Sequence, residues 1–117
     1  MSNIVKAFVG AQIHDGHKLH QNHALVRSGD GRFTVKPSAA LPSDCPVQNL
    51  DGGLITPGFV DLQVNGGGGI MFNDAQSVDT LRIIAKAHAS TGTYAILPTL
   101  ITDTPERTRA AIDAVEH

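Results

Sequence analysis

The chain has 117 residues, of which 41% are hydrophobic, 17% charged and 4% aromatic, and its formal net charge is −2. A complete (β/α)8 barrel needs about 250 residues, so the sequence is too short to form one. The balanced charge leaves no basic face for nucleic acid, and no apolar run approaches the ~20 residues of a membrane span. No secretory signal is recognisable. These bounds predict a soluble, cytoplasmic protein with no nucleic-acid or membrane partner.

Residues 1–54 show the short alternating runs and turn residues that are typical of β-structure. The predicted strands are Asn3–Val9, one that contains Ala24–Arg27, and Arg32–Lys36. A looser segment, Pro37–Asn49, holds three prolines and shows little periodicity. We therefore expect residues 1–54 to be the β-rich portion of a small antiparallel sheet or β-sandwich domain.

Residues 55–117 follow a β-α-β-α pattern, so the second part of the chain belongs to the α/β class. The predicted elements are a strand at Phe59–Val64, a helix at Val78–Ser90 capped by Ser77, a buried strand at Tyr94–Leu97, and a helix that starts at Thr104-Pro105. The last helix reaches His117 without a stop signal. This pattern favours a truncated fold, although a helix that frays at its end is the alternative.

Two amides stand at the carboxyl end of the first of these strands. Gln63 and Asn65 are two residues apart, so a regular strand directs them to one face. Ligands of parallel α/β sheets and barrels bind at this end of the strands. The amides could bind a substrate or an ordered water, or they could simply satisfy the backbone of the following loop. The residues alone leave both interpretations open.

The sequence around these amides resembles a known family. Pro57-Gly58-Phe59-Val60-Asp61 followed by Gln63-x-Asn65 is similar to the first barrel strand of the amidohydrolase superfamily, in which a His-x-His pair usually binds metal. Four further motifs resemble the N-acetylglucosamine-6-phosphate deacetylase family within it: DLQVNGGGG at 61–69, FND at 72–74, GT at 92–93 and LPTLIT at 97–102. The Gln-x-Asn pair is similar to the branch of that family that uses one catalytic metal.

The resemblance implies that the chain is the N-terminal part of a (β/α)8 TIM-barrel metal-dependent hydrolase. Residues 1–54 would belong to the small β-sandwich domain, and residues 55–117 would be the first two βα units of a truncated barrel. The parent enzyme would hydrolyse the N-acetyl group of N-acetylglucosamine 6-phosphate to glucosamine 6-phosphate and acetate. One divalent metal, zinc or similar, would activate the water, and a homodimer or other homo-oligomer is expected.

The catalytic machinery that the family implies is absent from this sequence. The family's metal-binding glutamate motif, two histidines and catalytic aspartate have no counterpart here. We therefore assign no catalytic residue and no metal ligand, and only Gln63 and Asn65 are substrate-pocket candidates. The chain alone is expected to be inactive and to bind no metal.

The remaining candidates carry weaker signals. His14, His17, His20 and His23 recur every three residues, but Asp15-Gly16 interrupts any helix that would align them. We expect His14 and His17 to flank a hairpin turn and His20 and His23 to be solvated, and a metal site remains the less favoured alternative. His88 is expected to be a packing residue.

Two other features are interpreted as having no direct role in binding or catalysis. The four glycines at 66–69 are interpreted as a flexible loop, although their backbone amides could approach a phosphate. Cys45 is the single cysteine, which excludes an internal disulfide and a cysteine zinc cage, and we expect it to be inert.

Two alternatives to the deacetylase remain open. One is another amidohydrolase that acts on a cyclic amide or a peptide-like bond. The other is a non-catalytic binding or assembly module that recruits a partner strand to an exposed sheet edge. A reading frame that continues into a Glu-Gly-Pro motif and two later histidines would favour the enzyme.

Overall fold

The computed structural model describes residues 4–117, and the chain divides into two compact units between Pro57 and Gly58. Asn3, the first residue of the first predicted strand, lies outside the described residues. Within residues 4–117 no helix is long and apolar enough to cross a membrane.

Within residues 4–57, the first unit consists of seven short strands and one 3-10 turn. In chain order these are β1 (Ile4–Val9), β2 (Gln12–His14), β3 (Leu19–His20), β4 (His23–Ser28), β5 (Phe33–Pro37), the 3-10 turn Ser38–Ala40, β6 (Val47–Asn49) and β7 (Leu54–Ile55). One sheet has the order β5-β4-β1-β6 and the other the order β3-β2-β7. Ala7, Ala24 and Val26 form the buried core of the four-stranded sheet, and Cys45 packs against them.

The prediction of purely antiparallel pairing in this unit is wrong. β4 pairs antiparallel with β1 and β5, but β6 runs parallel to β1 and β7 runs parallel to β2. The sequence did not indicate β6 or β7, because they contain only three and two residues and β6 is exposed throughout. Such strands form because a neighbouring strand, distant in sequence, offers backbone hydrogen bonds. The local sequence pattern carries no signal of that neighbour.

The second unit consists of the predicted β-α-β-α elements and a small added hairpin. In chain order these are β8 (Phe59–Val64), β9 (Gly66–Gly67), β10 (Ile70–Met71), α1 (Val78–Ala89), β11 (Thr93–Pro98) and α2 (Pro105–Glu116). β8 and β11 pair in parallel. The side chains of Ser77 and Thr104 accept the backbone N–H groups of Thr80 and Arg107, so both predicted helix caps are confirmed.

The core of the second unit lies between the two strands and the two helices. Its buried residues are Val64, Phe72, Ile84 and Ala111, with Ile70, Leu81, Ile96 and Leu100 packed around them. Phe72 and Ile84 are among the largest fully buried side chains of the described residues. This cluster joins β8 to α1 and α2, so it fixes the direction in which the strand ends.

Adjacent isoleucines on α1 test this core. Ile84 is 0% exposed and Ile83 is 48% exposed. We expect Ile84→Ala to lower the free energy of unfolding by about 2–5 kcal/mol, because it leaves a cavity that the neighbours fill only in part. Ile83→Ala removes the same atoms from a half-exposed position and should cost at most about 1 kcal/mol. Urea unfolding followed by circular dichroism measures both.

If Ile84→Ala is unfolded without denaturant, Ile84→Val supplies the comparison, with an expected cost of about 0.5–1.5 kcal/mol. Equal losses for the two alanine variants would contradict the assignment of the core.

Candidate functional site

The site is built at the carboxyl ends of two parallel strands. β8 and β11 run side by side, and the backbone N–H of Thr99 donates to the carbonyl of Val64 at 2.8 Å just where both strands end. The loops that follow the two strands therefore leave from the same edge of the sheet. This edge is where parallel α/β proteins place their ligands.

The register of β8 against β11 shifts twice: β11 has an extra residue between Thr93 and Ala95, and β8 has one near its carboxyl end. Asp61 lies opposite Ile96 and Val64 lies opposite Pro98, so three residue steps of β8 match two of β11, as in a β-bulge. Asp61 Oδ2 lies 3.9 Å from His88 Nδ1 on α1, and Val64 is buried in the core beside Ile84. Residues three apart in a regular strand point to opposite faces, so the bulge is what turns both toward α1.

Gln63 and Asn65 flank Val64 and therefore lie on the other face of the strand pair, which we call the open face. Two apolar residues of the strand pair, Leu62 on β8 and Leu97 on β11, are 70% and 54% exposed. The Gln63 side chain is exposed and has no hydrogen-bond partner within residues 4–117. It is thus available to a ligand, whereas a buried and paired amide would not be.

Asn65 has a different environment from Gln63. It is half-buried, and its Nδ2 donates to the carbonyl of Thr99 at 3.0 Å. Its own carbonyl accepts the backbone N–H of Phe72 at 2.7 Å. The structural interpretation, in which the amide satisfies loop backbone, therefore holds for Asn65 Nδ2. Of the two polar side-chain atoms of Asn65, only Oδ1 has no partner within the described residues.

A third amide, Asn73, joins the two loops and was not predicted to do so. Its Nδ2 donates to the carbonyl of Ile101 at 2.9 Å, and its Oδ1 accepts the N–H of the same residue at 2.9 Å. Nδ2 also lies 3.0 Å from Asp103 Oδ2, and Arg107 contacts both the Asn73 carbonyl and the Asp103 carboxylate. No local pattern indicates the contacts of Asn73, because they join residues 28 to 34 positions apart, whereas Arg107 and Asp103 are four positions apart.

Asp103 is the charged centre of this network. Its carboxylate accepts the backbone N–H of Thr104 and the amide of Asn73, and the Arg107 guanidinium lies beside it. In that order, these groups lower the pKa of Asp103 below its ordinary value. The ionised carboxylate is therefore favoured by the folded loop pair.

The lowered pKa of Asp103 predicts how stability depends on pH. The folded pKa lies below the unfolded value of about 3.9, so the contribution is complete above that pH and is lost as the pH falls through the folded pKa. Asp103→Asn should therefore flatten the acid side of the stability curve. Chemical unfolding at pH 7 and pH 3 measures the slope.

Asp113→Asn is the control for this prediction, because Asp113 is exposed on α2 and lies outside the network. A slope that changes as much in this control as in Asp103→Asn would contradict the role of the loop network.

The histidines at 14–23 each have a local structural environment, and no group of three or more His, Cys, Asp or Glu among the described residues is arranged to hold a metal ion. β2 ends at His14 and Asp15 organises the turn, accepting the N–H groups of His17 and Lys18 at 2.8 and 2.9 Å. His14 and His17 flank the turn, as predicted. The prediction that His20 is solvated is wrong. Its side chain is 12% exposed and its Nε2 lies 2.6 Å from Asp15 Oδ2, because the turn folds the carboxylate back over β3.

His23 also has a local partner. Its Nδ1 lies 2.6 Å from the carbonyl of Gln21, and its ring centroid is 5.0 Å from that of His20. An open depression of about 740 Å³ lies beside it in the first unit, and its lining includes no acidic or basic residue other than His23. We therefore do not place the catalytic site there.

The four glycines form a hairpin rather than an irregular loop. β9 and β10 pair antiparallel around Gly68 and Gly69, whose φ angles are 64° and 84°. A Cβ atom on Gly67 would lie 3.0 Å from His88 Cδ2, and one on Gly68 would lie 2.9 Å from Ile83 Cγ2. The glycines thus allow the hairpin to lie directly against α1, which is a packing role.

The donor set of this chain does not fit a metal centre. Among residues 4–117 no group of three or more His, Cys, Asp or Glu side chains is arranged to hold a metal ion. The open face offers the carboxamides of Gln63 and Asn65, which are poor zinc ligands compared with imidazole or thiolate. Any metal chemistry associated with this site requires ligands from outside these residues.

Comparison with known proteins gives the site a context. No family model matches the chain. It is 50% identical over 98 residues to N-acetylgalactosamine-6-phosphate deacetylase from Shewanella sp. strain ANA-3, a match that covers 80% of this chain and 24% of that protein. It is 35% identical over 106 residues to N-acetylglucosamine-6-phosphate deacetylase from Haemophilus influenzae, covering 91% of this chain and 28% of the relative. The chain resembles part of an amino-sugar-phosphate deacetylase.

Solved structures give the same result for the fold. The crystal structure of N-acetylglucosamine-6-phosphate deacetylase from Pasteurella multocida matches 95% of this chain and 29% of its own length, with a TM-score of 0.83 and 37% identity. A mutant of the Mycobacterium smegmatis deacetylase in complex with N-acetyl-D-glucosamine-6-phosphate matches with a TM-score of 0.75 and 27% identity. The resemblance predicted from the motifs is confirmed, and the chain spans about a quarter of the length of the curated relatives that it matches.

Proposed function

We propose that this chain is the N-terminal part of a cytoplasmic N-acetylhexosamine-6-phosphate deacetylase. The whole enzyme hydrolyses the N-acetyl group of N-acetylglucosamine 6-phosphate to glucosamine 6-phosphate and acetate. The observation that carries the proposal is the match of 95% of this chain to 29% of a solved deacetylase, at a TM-score of 0.83. Residues 1–54 supply part of a small β-sandwich domain, and residues 55–117 supply the first two βα units of the barrel.

The exposed apolar surface of the second unit supports this assignment. Parallel sheets are normally covered on both faces and contain more than two strands. The exposed side chains on the strand pair are Phe59, Val60, Leu62, Tyr94 and Leu97, from 54% to 87% accessible. An apolar groove of about 380 Å³ also runs along α2, lined by Leu100, Ile112 and Val115. Further strands and helices of the same protein would bury these surfaces.

In this proposal the chain contributes pocket shape, and the reacting groups lie elsewhere in the polypeptide. A divalent metal such as zinc would polarise the acetyl carbonyl and activate water, but the side chains described above do not fit it. Gln63 and Asn65 border the substrate pocket from the open face, with the Gln63 amide free to hydrogen-bond a sugar hydroxyl or the acetamide. We expect a homodimer or other homo-oligomer for the whole enzyme.

One observation favours a second substrate. The relative with 50% identity is named as an N-acetylgalactosamine-6-phosphate deacetylase, whereas the relative with 35% identity is named for the glucosamine compound. The two sugars differ only in the configuration at C4. The galactosamine phosphate is therefore the alternative substrate.

The isolated chain tests the proposal that the reacting groups lie outside these residues. We expect purified residues 1–117 to release no acetate from either sugar phosphate and to bind no stoichiometric zinc, because no ligand set is present among the described residues. An acetate assay and metal analysis after dialysis against zinc measure both. Acetate release above the buffer rate, or one zinc per chain, would contradict the proposal.

A chimera tests the activity itself. This chain replaces the matching segment of the Shewanella relative, and the unaltered relative is the control. We expect the chimera to deacetylate one or both sugar phosphates, and the ratio of the two kcat/KM values identifies the substrate. A chimera with the circular dichroism and melting behaviour of a folded protein but no activity on either compound would contradict the proposed function.

The pocket role of Gln63 is tested in the same chimera. Loss of one hydrogen bond to substrate is worth about 0.5–1.5 kcal/mol, so Gln63→Leu should lower kcat/KM by about two- to twelvefold. Gln48→Leu, on the exposed strand β6 of the first unit, is the matched control and should leave kcat/KM unchanged. Equal values for the two variants would remove Gln63 from the pocket.

A further inference from the structure

His88 on α1 contacts the strand and the hairpin at the same time. Its Nε2 lies 3.0 Å from the carbonyl of Gly66, and since a carbonyl oxygen only accepts, Nε2 carries the proton and donates it. Its Nδ1 lies 3.9 Å from Asp61 Oδ2, which is near but too far for a hydrogen bond. The side chain is 27% exposed, so part of the ring is removed from water while both nitrogens have a defined neighbour.

These two contacts enclose the amide pair along the chain. Asp61 precedes Gln63 by two residues, and Gly66 follows Asn65 directly. The other oxygen of Asp61 accepts the backbone N–H of Gln63 at 3.2 Å, across the bulge. His88 therefore contacts the residue that braces the bulge before the amides and the residue that begins the hairpin after them.

The neighbouring glycine is needed for this contact. A Cβ atom on Gly67 would lie 3.0 Å from Cδ2 and 3.1 Å from Nε2 of His88, closer than side chains normally approach. The absence of a side chain at Gly67 thus lets the imidazole reach the Gly66 carbonyl. The ring and the glycine form one fitted contact between α1 and the hairpin.

We propose that His88 is a positioning residue that fixes Gln63 and Asn65 on the open face, by holding the carbonyl of Gly66, which directly follows them. It acts from the α1 side of the strand pair and does not itself touch the open face. The effect on turnover rests on the proposed function, whereas the effect on the hairpin is a property of this chain alone.

The first test uses the 117-residue chain and a matched pair of variants. His88→Gln keeps an N–H donor of similar reach, and His88→Leu keeps bulk but removes the donor. The probe is hydrogen exchange, measured by NMR, of the Phe72 amide, which donates to Asn65. We expect exchange about tenfold faster in His88→Leu than in the parent, with His88→Gln close to the parent and the Ile84 amide within α1 unchanged.

Gly67→Ala approaches the same contact from the hairpin and covers the case in which His88→Leu does not fold. It should also accelerate exchange of the Phe72 amide, because the added methyl group displaces the ring. Unchanged exchange in both His88→Leu and Gly67→Ala would overturn the inference. Equal acceleration in His88→Gln and His88→Leu would also overturn it, since the ring alone and not the donor would then matter.

The second test measures kcat/KM in the Shewanella chimera. We expect His88→Leu to lower it about tenfold and His88→Gln to restore it to within about twofold of the parent chimera. If the parent chimera is folded but inactive, the proposed function fails while the exchange result still decides the hairpin contact. If the chimera is active and His88→Leu leaves kcat/KM unchanged, the positioning role is overturned.

Discussion

The bulge in β8 is the constraint on which the rest of the second unit depends. Between Asp61 and Val64 the chain of β8 advances three residues, while the paired segment of β11 advances two. Both Asp61 and Val64 are therefore turned toward α1. Val64 then enters the core, Asp61 meets His88, and the amides beside Val64 are left for the open face. Without the extra residue, either the core or the Asp61 contact would be lost, because side chains alternate along a regular strand.

The loops after the two strands are fixed by hydrogen bonds between distant parts of the chain. Asn65 binds Thr99, Asn73 binds both backbone groups of Ile101, and Arg107 closes the network from α2. Asn65, Asn73 and Arg107 are thus used to join the loops. Gln63 is the exception, and its exposed amide is the reason it remains the substrate-facing candidate.

The sequence predicted the elements that carry their own local signals. The strand at Phe59–Val64 and the caps at Ser77 and Thr104 are as predicted, because hydroxyl caps, proline at a helix start and apolar runs act over a few residues. The bulge, the parallel strands β6 and β7, the Asn73 network and the contact of His20 with Asp15 were not predicted. Each depends on a partner that is distant in sequence or on a turn whose side chain folds back, and the local pattern contains no record of either.

The same distinction explains why motifs that identify relatives can consist of residues that support loops. The run of glycines is needed for the hairpin to lie against α1, with Gly67 against His88 and Gly68 against Ile83. Asp61 braces the bulge and Asn73 joins the loops. These residues are constrained by geometry at the mouth of the strands, where small displacements would move any group that binds substrate. A segment can therefore retain a strong family resemblance through positioning alone, and in the proposed function it contributes the shape of a pocket whose reacting groups come from elsewhere.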